Sequence, residues 1–174
     1  LRDASNLRTD EYGGPIRNRI RLLRDVTAAV AGAIGADRTA VRLSPNGASN
    51  GVNDSNPEAL FPAAAAALSE IGIAFLEVRE PGPDSSFGKP ERPPIAPLMR
   101  KAFVGPLVLN SDYDGVRAQA ALDAGAADAI TFGRPFMANP DLPHRLAGRL
   151  PLNADRMDTW YTQGPEGYTD YPMA

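Results

Sequence analysis

Short apolar runs alternate along the chain with longer stretches whose apolar residues recur every three or four positions. In the first long stretch, Arg17 to Ile34, residues Ile20, Leu23, Thr27, Val30 and Ile34 fall on one stripe, the period of an amphipathic helix. Gly35 follows as a residue suited to ending it. "TAVRLS" (Thr39 to Ser44) is short, apolar and β-branched, and reads as a strand. A loop of Asn, Gly and Ser closes on Asn56-Pro57, an N-cap side chain followed by a proline at the first helical position. Leu60, Ala64, Leu68 and Ile71 mark the helix it opens, which Gly72 stops. "IAFLEV" (Ile73 to Val78) is the second strand, and a short helix near Ile95 to Phe103 leads to "PLVLN" (Pro106 to Asn110), the third. A helix from Asp112 to Ala124, ended by Gly125, precedes the fourth strand, "ADAITF" (Ala127 to Phe132). Leu1 to Asn18 is polar and turn-rich, and the residues from Pro151 onward form an irregular tail.

Strands that alternate with amphipathic helices belong to the α/β class, built from parallel βα units. The long polar loops all follow strands, whereas the helix-to-strand connections are minimal. That asymmetry is the habit of a (β/α)₈ TIM barrel, whose strand-to-helix loops carry function on one face. A barrel needs eight strands and about 250 residues, so four βα units in 174 residues are half of one.

Composition narrows the chemistry. Hydrophobic content of 43% and charged content of 22% suit a globular chain, and a net charge of −3 argues against a nucleic-acid partner. No window reaches the roughly 18 unbroken apolar residues of a membrane span, so no membrane partner is expected. Leu1 begins no signal-peptide pattern, and cysteine is absent, which together fit a cytoplasmic setting. The single histidine, His144, reads as a surface residue, and no metal site is expected.

The fourth strand stops on Gly133-Arg134. Barrels commonly bind a phosphate at the loops after their last two strands. A glycine there lets the backbone approach an anion, and arginine offers a planar fork of donors to its oxygens. Elsewhere a Gly-Arg pair is a turn and a solvated charge; after the last strand of a half-barrel the phosphate reading is the better one. Asn110-Ser111-Asp112, after the third strand, opens a helix whose first N–H groups can reach the same point. Arg42 stands inside the apolar first strand, where a charge is expensive unless paired. Asp10, Arg17 and Arg19 are expected to form charge pairs around "DEYGGPIRNR".

Taken together, "RTDEYGGPIRNR", "VRLSP", "LNSDY", "TFGRPFMANPDL" and "WYTQGPEGYTDYP" resemble the Old Yellow Enzyme family of flavin-dependent ene-reductases, in that family's order and spacing. The resemblance implies that residues 1–174 are the C-terminal half of one FMN-binding barrel, the N-terminal half being absent from this chain. It implies that Gly133 and Arg134 hold the FMN phosphate, with the backbone of Asn110, Ser111 and Asp112 beside it. The family often has glycine where Ser111 stands. The matching arginine, Arg42, lies at the N1 and C2-carbonyl edge of the flavin, and Tyr161 lines the substrate cavity. Tyr168 and Tyr171 read as tail anchors. The loop from Arg79 to Arg92 is a candidate lid, with Phe87 a candidate contact.

The family's proton-donor tyrosine and its His/Asn or His/His pair match nothing in this chain and would lie upstream of Leu1. No catalytic residue is therefore expected here. The expected function, once the missing half is supplied by a second chain or segment, is that of an oxidoreductase. It would use NADPH or NADH to reduce electron-poor, α,β-unsaturated alkenes through FMN. The alternatives are another phosphate-binding flavin barrel of the dihydroorotate or dihydrouridine type, and a non-catalytic half-barrel that binds a phosphate ligand.

Overall fold

Four short β-branched segments pair side by side because each has one apolar face to bury and a backbone that needs partners. The structure, a computed structural model, describes residues 1–47, 52–82, 85 and 88–174. Strands β1 (Ala40–Leu43), β2 (Phe75–Arg79), β3 (Leu107–Asn110) and β4 (Ala129–Thr131) form one sheet in the order β1-β2-β3-β4. Every pairing is parallel. The four expected strands are therefore all present, each shorter than its apolar run. Phe87 lies outside the described residues.

The chain divides into two units, Leu1–Thr131 and Phe132–Ala174. The first holds the sheet and helices α1 (Ile16–Arg19), α2 (Arg21–Ile34), α3 (Pro57–Ile71), α4 (Ala96–Ala102) and α5 (Gly115–Asp123). Alternation along the strands sends Leu43, Leu76, Val78, Leu107 and Leu109 into one core with Leu60, Phe61, Ala64, Leu68 and Met99 of α3 and α4. The N-cap of α3 is the expected one: Asn56 Oδ1 accepts the Ala59 N–H at 3.1 Å, and Pro57 begins the helix. At its other end Gly72 is left-handed, with φ 74°. The second unit holds α6 (Arg134–Ala138), α7 (Leu142–Gly148) and the tail.

Three expectations change. The helix from Arg17 to Ile34 is interrupted at Ile20, and its C-terminal apolar residues are not buried: Val30 and Ile34 are exposed along with Leu22 and Val26. Helix α5 begins at Gly115 rather than Asp112, because Ser111 and Asp112 both have left-handed φ, 120° and 51°, which no helix accommodates. Asp114 is its N-cap, accepting the Arg117 N–H at 2.7 Å. The charge pairs near the N-terminus also differ from the expected set. Asp10 pairs with its neighbour Arg8 on the surface, whereas Arg19 is buried against Asp54, 35 positions away. Arg17 is exposed.

That buried pair organises the segment beneath the strand ends. Arg19 Nη1 also donates to the Leu1 carbonyl at 2.9 Å. Asp54 Oδ2 accepts the Asp3 N–H at 2.9 Å, and Arg2 Nη1 donates to the Val52 carbonyl at 2.7 Å. Arg2 Nη2 donates to the Ser44 carbonyl, just past β1. Breaking a buried ion pair on one side leaves an uncompensated charge, at a cost of about 3–5 kcal/mol. Asp54→Asn is accordingly expected to lower unfolding free energy by about 3 kcal/mol in chemical denaturation. A loss under about 1 kcal/mol would mean that the pair is relaxed by water.

The tail is held by Arg145, whose side chain is 6% exposed. Its guanidinium donates to the carbonyls of Pro151 (2.6 Å) and Pro172 (2.8 Å) and to Asp141 Oδ1 (2.7 Å). Tyr171 and Tyr168 anchor the tail as expected: their hydroxyls accept the N–H groups of Arg156 (2.8 Å) and Tyr161 (2.7 Å). The Asp141 carboxyl is held below the usual carboxylate range, chiefly by the Ala174 N–H and then by Arg145. Asp170 is lowered likewise, chiefly by Arg156, and accepts the Gly167 N–H. Carboxyls depressed in the folded state contribute stability that is present above their unfolded pKa and is lost as pH falls through the folded one. Amide exchange at Ala174 and Gly167, corrected for its intrinsic pH dependence, should therefore lose protection as pH drops below about 4.

Candidate functional site

The face of the sheet turned away from the helices is polar toward the carboxyl ends of the strands. Parallel register puts Arg42 of β1 opposite Glu77 of β2, and Glu77 opposite Val108 of β3. The next row is Arg79, Asn110 and Thr131. Arg42, expected at a costly apolar position, points instead to this open face and is paired there. Its side chain is 53% exposed, its Nη2 donates to Asn110 Oδ1 at 3.3 Å, and its Nε lies 3.7 Å from Glu77 Oε1. Asn110 Nδ2 in turn donates to the Thr131 carbonyl at 3.2 Å. One hydrogen-bonded line therefore crosses from β1 to β4.

Beyond Asn110 the backbone turns sharply. Ser111 is nearly buried at φ 120°, and Asp112 follows at φ 51°. The Asp112 carboxylate accepts from Ser85 Oγ at 2.5 Å, and its carbonyl accepts from Arg117 Nη1 at 3.0 Å. Both side-chain interactions hold the turn after β3 through Asp112. The φ of Ser111 lies where glycine is the comfortable residue.

In the second unit, Gly133 is the N-cap of α6, and its carbonyl accepts from the N–H groups of Phe136 and Met137 at 3.0 Å. Its φ is −96°, so no left-handed conformation demands glycine here. Instead, a Cβ added at Gly133 would meet nothing within 4 Å: the bare backbone faces open space. That is the condition under which another molecule can approach the main chain closely. Arg134, the first residue of α6, places its guanidinium 5.8 Å from the centre of the Trp160 ring. The tail thus brings Trp160 and its neighbour Tyr161 to the start of α6. Tyr161 is 96% exposed at φ 61°, so it does not pack the tail down. His144 is exposed as expected. Among the described residues no His/Cys/Asp/Glu group could hold a metal ion, and no helix is long and apolar enough to cross a membrane.

Sequence reasoning missed Glu77 and Arg145. Glu77 carried the same signal as Arg42, a charge inside an apolar strand, in "IAFLEV". Arg145 carried none, because backbone carbonyls leave no mark in a sequence.

Comparison with known proteins decides the family. Residues 1–153 match the family model described as "NADH:flavin oxidoreductase / NADH oxidase family". The chain belongs to that family. An old yellow enzyme homologue from Zymomonas mobilis is 58% identical and superposes with a TM-score of 0.97, over 99% of this chain and 49% of that one. Morphinone reductase, in a structure with tetrahydroNAD, is 41% identical with a TM-score of 0.90, over 100% of this chain and 46% of that one. A protein from Leishmania infantum, named "Probable flavin mononucleotide-dependent alkene reductase", is 40% identical over 173 residues, 99% of this chain and 46% of its own length. The chain spans about half the length of the curated relatives it matches. As a member of the family it is the α/β half of a TIM barrel, and the resemblance to Old Yellow Enzymes holds along its whole length.

The strained serine offers a direct check. Ser111→Gly is expected to raise unfolding free energy by about 1 kcal/mol, because relief of left-handed strain exceeds the added freedom of the unfolded chain. Chemical denaturation measures it, and a lower midpoint would show that the Ser111 side chain contributes more than its backbone costs.

Proposed function

We propose that this chain is the C-terminal half, residues 1–174, of an FMN-dependent ene-reductase barrel. With its N-terminal half the enzyme uses NADPH or NADH to reduce activated alkenes, in the cytoplasm. The observation that carries the reading is Arg42: a half-exposed guanidinium fixed on the polar face of a family barrel, near the carboxyl ends of its strands. In such barrels ligands bind at that end.

The residues present suit the cofactor. FMN, when bound, supplies the hydride-transfer chemistry that links the nicotinamide to the alkene. Its phosphate needs close backbone approach and charge-assisted donors, and Gly133 with Arg134 offers both. Asn110, Ser111 and Asp112 contribute the turn after β3, whose backbone is held by Ser85 and Arg117. Arg42 supplies a fixed cation for the N1 and C2-carbonyl edge of the ring, where it favours negative charge without reorganising. Tyr161, exposed on a turn whose N–H is held by the Tyr168 hydroxyl, lines the substrate side. The proton donor and the carbonyl-binding pair come from the other half. The name of the Leishmania relative and the NAD analogue in the morphinone reductase structure support this assignment of cofactor and reductant.

The test uses the complete enzyme. Arg134→Ala removes a charge-assisted contact of about 1.5–3 kcal/mol, so FMN should bind more than tenfold more weakly in titration of apoprotein. Gly133→Ala should leave the melting temperature of the flavin-free protein nearly unchanged, since within this chain its Cβ meets nothing within 4 Å, and should also weaken FMN. Unchanged affinity in both variants would overturn the phosphate site.

A further inference from the structure

Glu77 is the one acidic side chain in the two polar rows of the sheet, and it stands directly opposite Arg42. Its side chain is only 14% exposed, and Oε1 is buried without a hydrogen bond. The charged group it approaches is the Arg42 guanidinium, at 3.7 Å from Nε. A buried carboxylate with an unsatisfied oxygen is costly, and packing alone would be better served by an apolar side chain. Its position relative to Arg42 is what distinguishes it. Glu77 faces the Nε edge of the guanidinium, while Asn110 Oδ1 takes Nη2 at the other end. One hydrogen bond and one charge attraction from the opposite edge bias the planar fork toward a single direction.

We infer that Glu77 is a positioning residue, which orients the Arg42 guanidinium and so sets how strongly Arg42 acts on the flavin. The inference rests on the reading that Arg42 faces the FMN ring. Glu77 does not touch the ring; it acts through Arg42. Asn110 shares the task from β3, but Glu77 alone brings charge to it.

A double-mutant cycle on the complete, FMN-loaded enzyme tests this. The readout is the flavin's two-electron reduction potential by equilibrium dye titration, with FMN dissociation constants from apoprotein titration as a second measure. Arg42→Ala should lower the potential in the parent enzyme by the equivalent of about tenfold, or about 30 mV. In the Glu77→Gln background the same Arg42→Ala change should have less than a third of that effect in fold terms, because the arginine it removes was no longer aimed. Glu77→Asp keeps the charge on a shorter arm and should give an intermediate coupling; it also answers the question if Glu77→Gln does not fold. Equal Arg42→Ala shifts in both backgrounds would overturn the positioning role while leaving Arg42 at the flavin. No shift in either background would overturn the Arg42 reading itself, and this inference with it.

Discussion

Parallel pairing is the constraint from which the rest of the first unit follows. Strands that all run one way must finish at one edge, so the segments after β1, β2, β3 and β4 leave the sheet at the same end. The register is equally strict, since a slip of one residue would turn every core leucine toward the opposite face. With Leu43, Leu76, Val78, Leu107 and Leu109 committed to the helices, Arg42, Glu77 and Asn110 have no choice but the other face. Apolar burial on one side thereby places polar chemistry on the other.

Electrostatics then does two different jobs in the molecule. The Arg19–Asp54 pair is almost fully buried and bonded to backbone partners, so it fixes the path of the chain, even though Arg19 Nε makes no hydrogen bond. Arg42 is held more loosely and stays half exposed, with an amide and a distant carboxylate at its edges. A charge buried against a carboxylate and backbone groups is structural, whereas one left half exposed keeps donors turned to the outside. Arg145 belongs to the first kind: its contacts with Asp141, Pro151 and Pro172 leave a side chain 6% exposed.

Much of the fold was legible because it is written locally. Each strand carries its own apolar run, and Asn56-Pro57 and Gly72 announce the ends of α3 in the residues that form them. The location of Arg42 and Gly133 after or within such strands was legible for the same reason. What was not legible depends on pairing between distant segments or on backbone alone. Arg19 finds Asp54 across 35 positions, and Arg42 finds Glu77 only once the register is set. The start of α5 was misread because left-handed φ at Ser111 and Asp112 has no side-chain signature. The stripe of α2 packs at Ile20, Leu23 and Thr27 but is exposed at Val30 and Ile34, because periodicity reveals which residues share a face, not what lies against it.

The conformation of Ser111 has a consequence for how such a chain can vary. Two of serine's codons, AGU and AGC, lie one base from glycine codons, and a gene using either can pass between the strained and the relaxed residue without an intermediate. The neighbours that hold the turn, Ser85 and Arg117, do so through Asp112 rather than through Ser111 itself. Either residue at position 111 therefore inherits the same scaffold, and drift between them can proceed without any compensating change elsewhere in the loop.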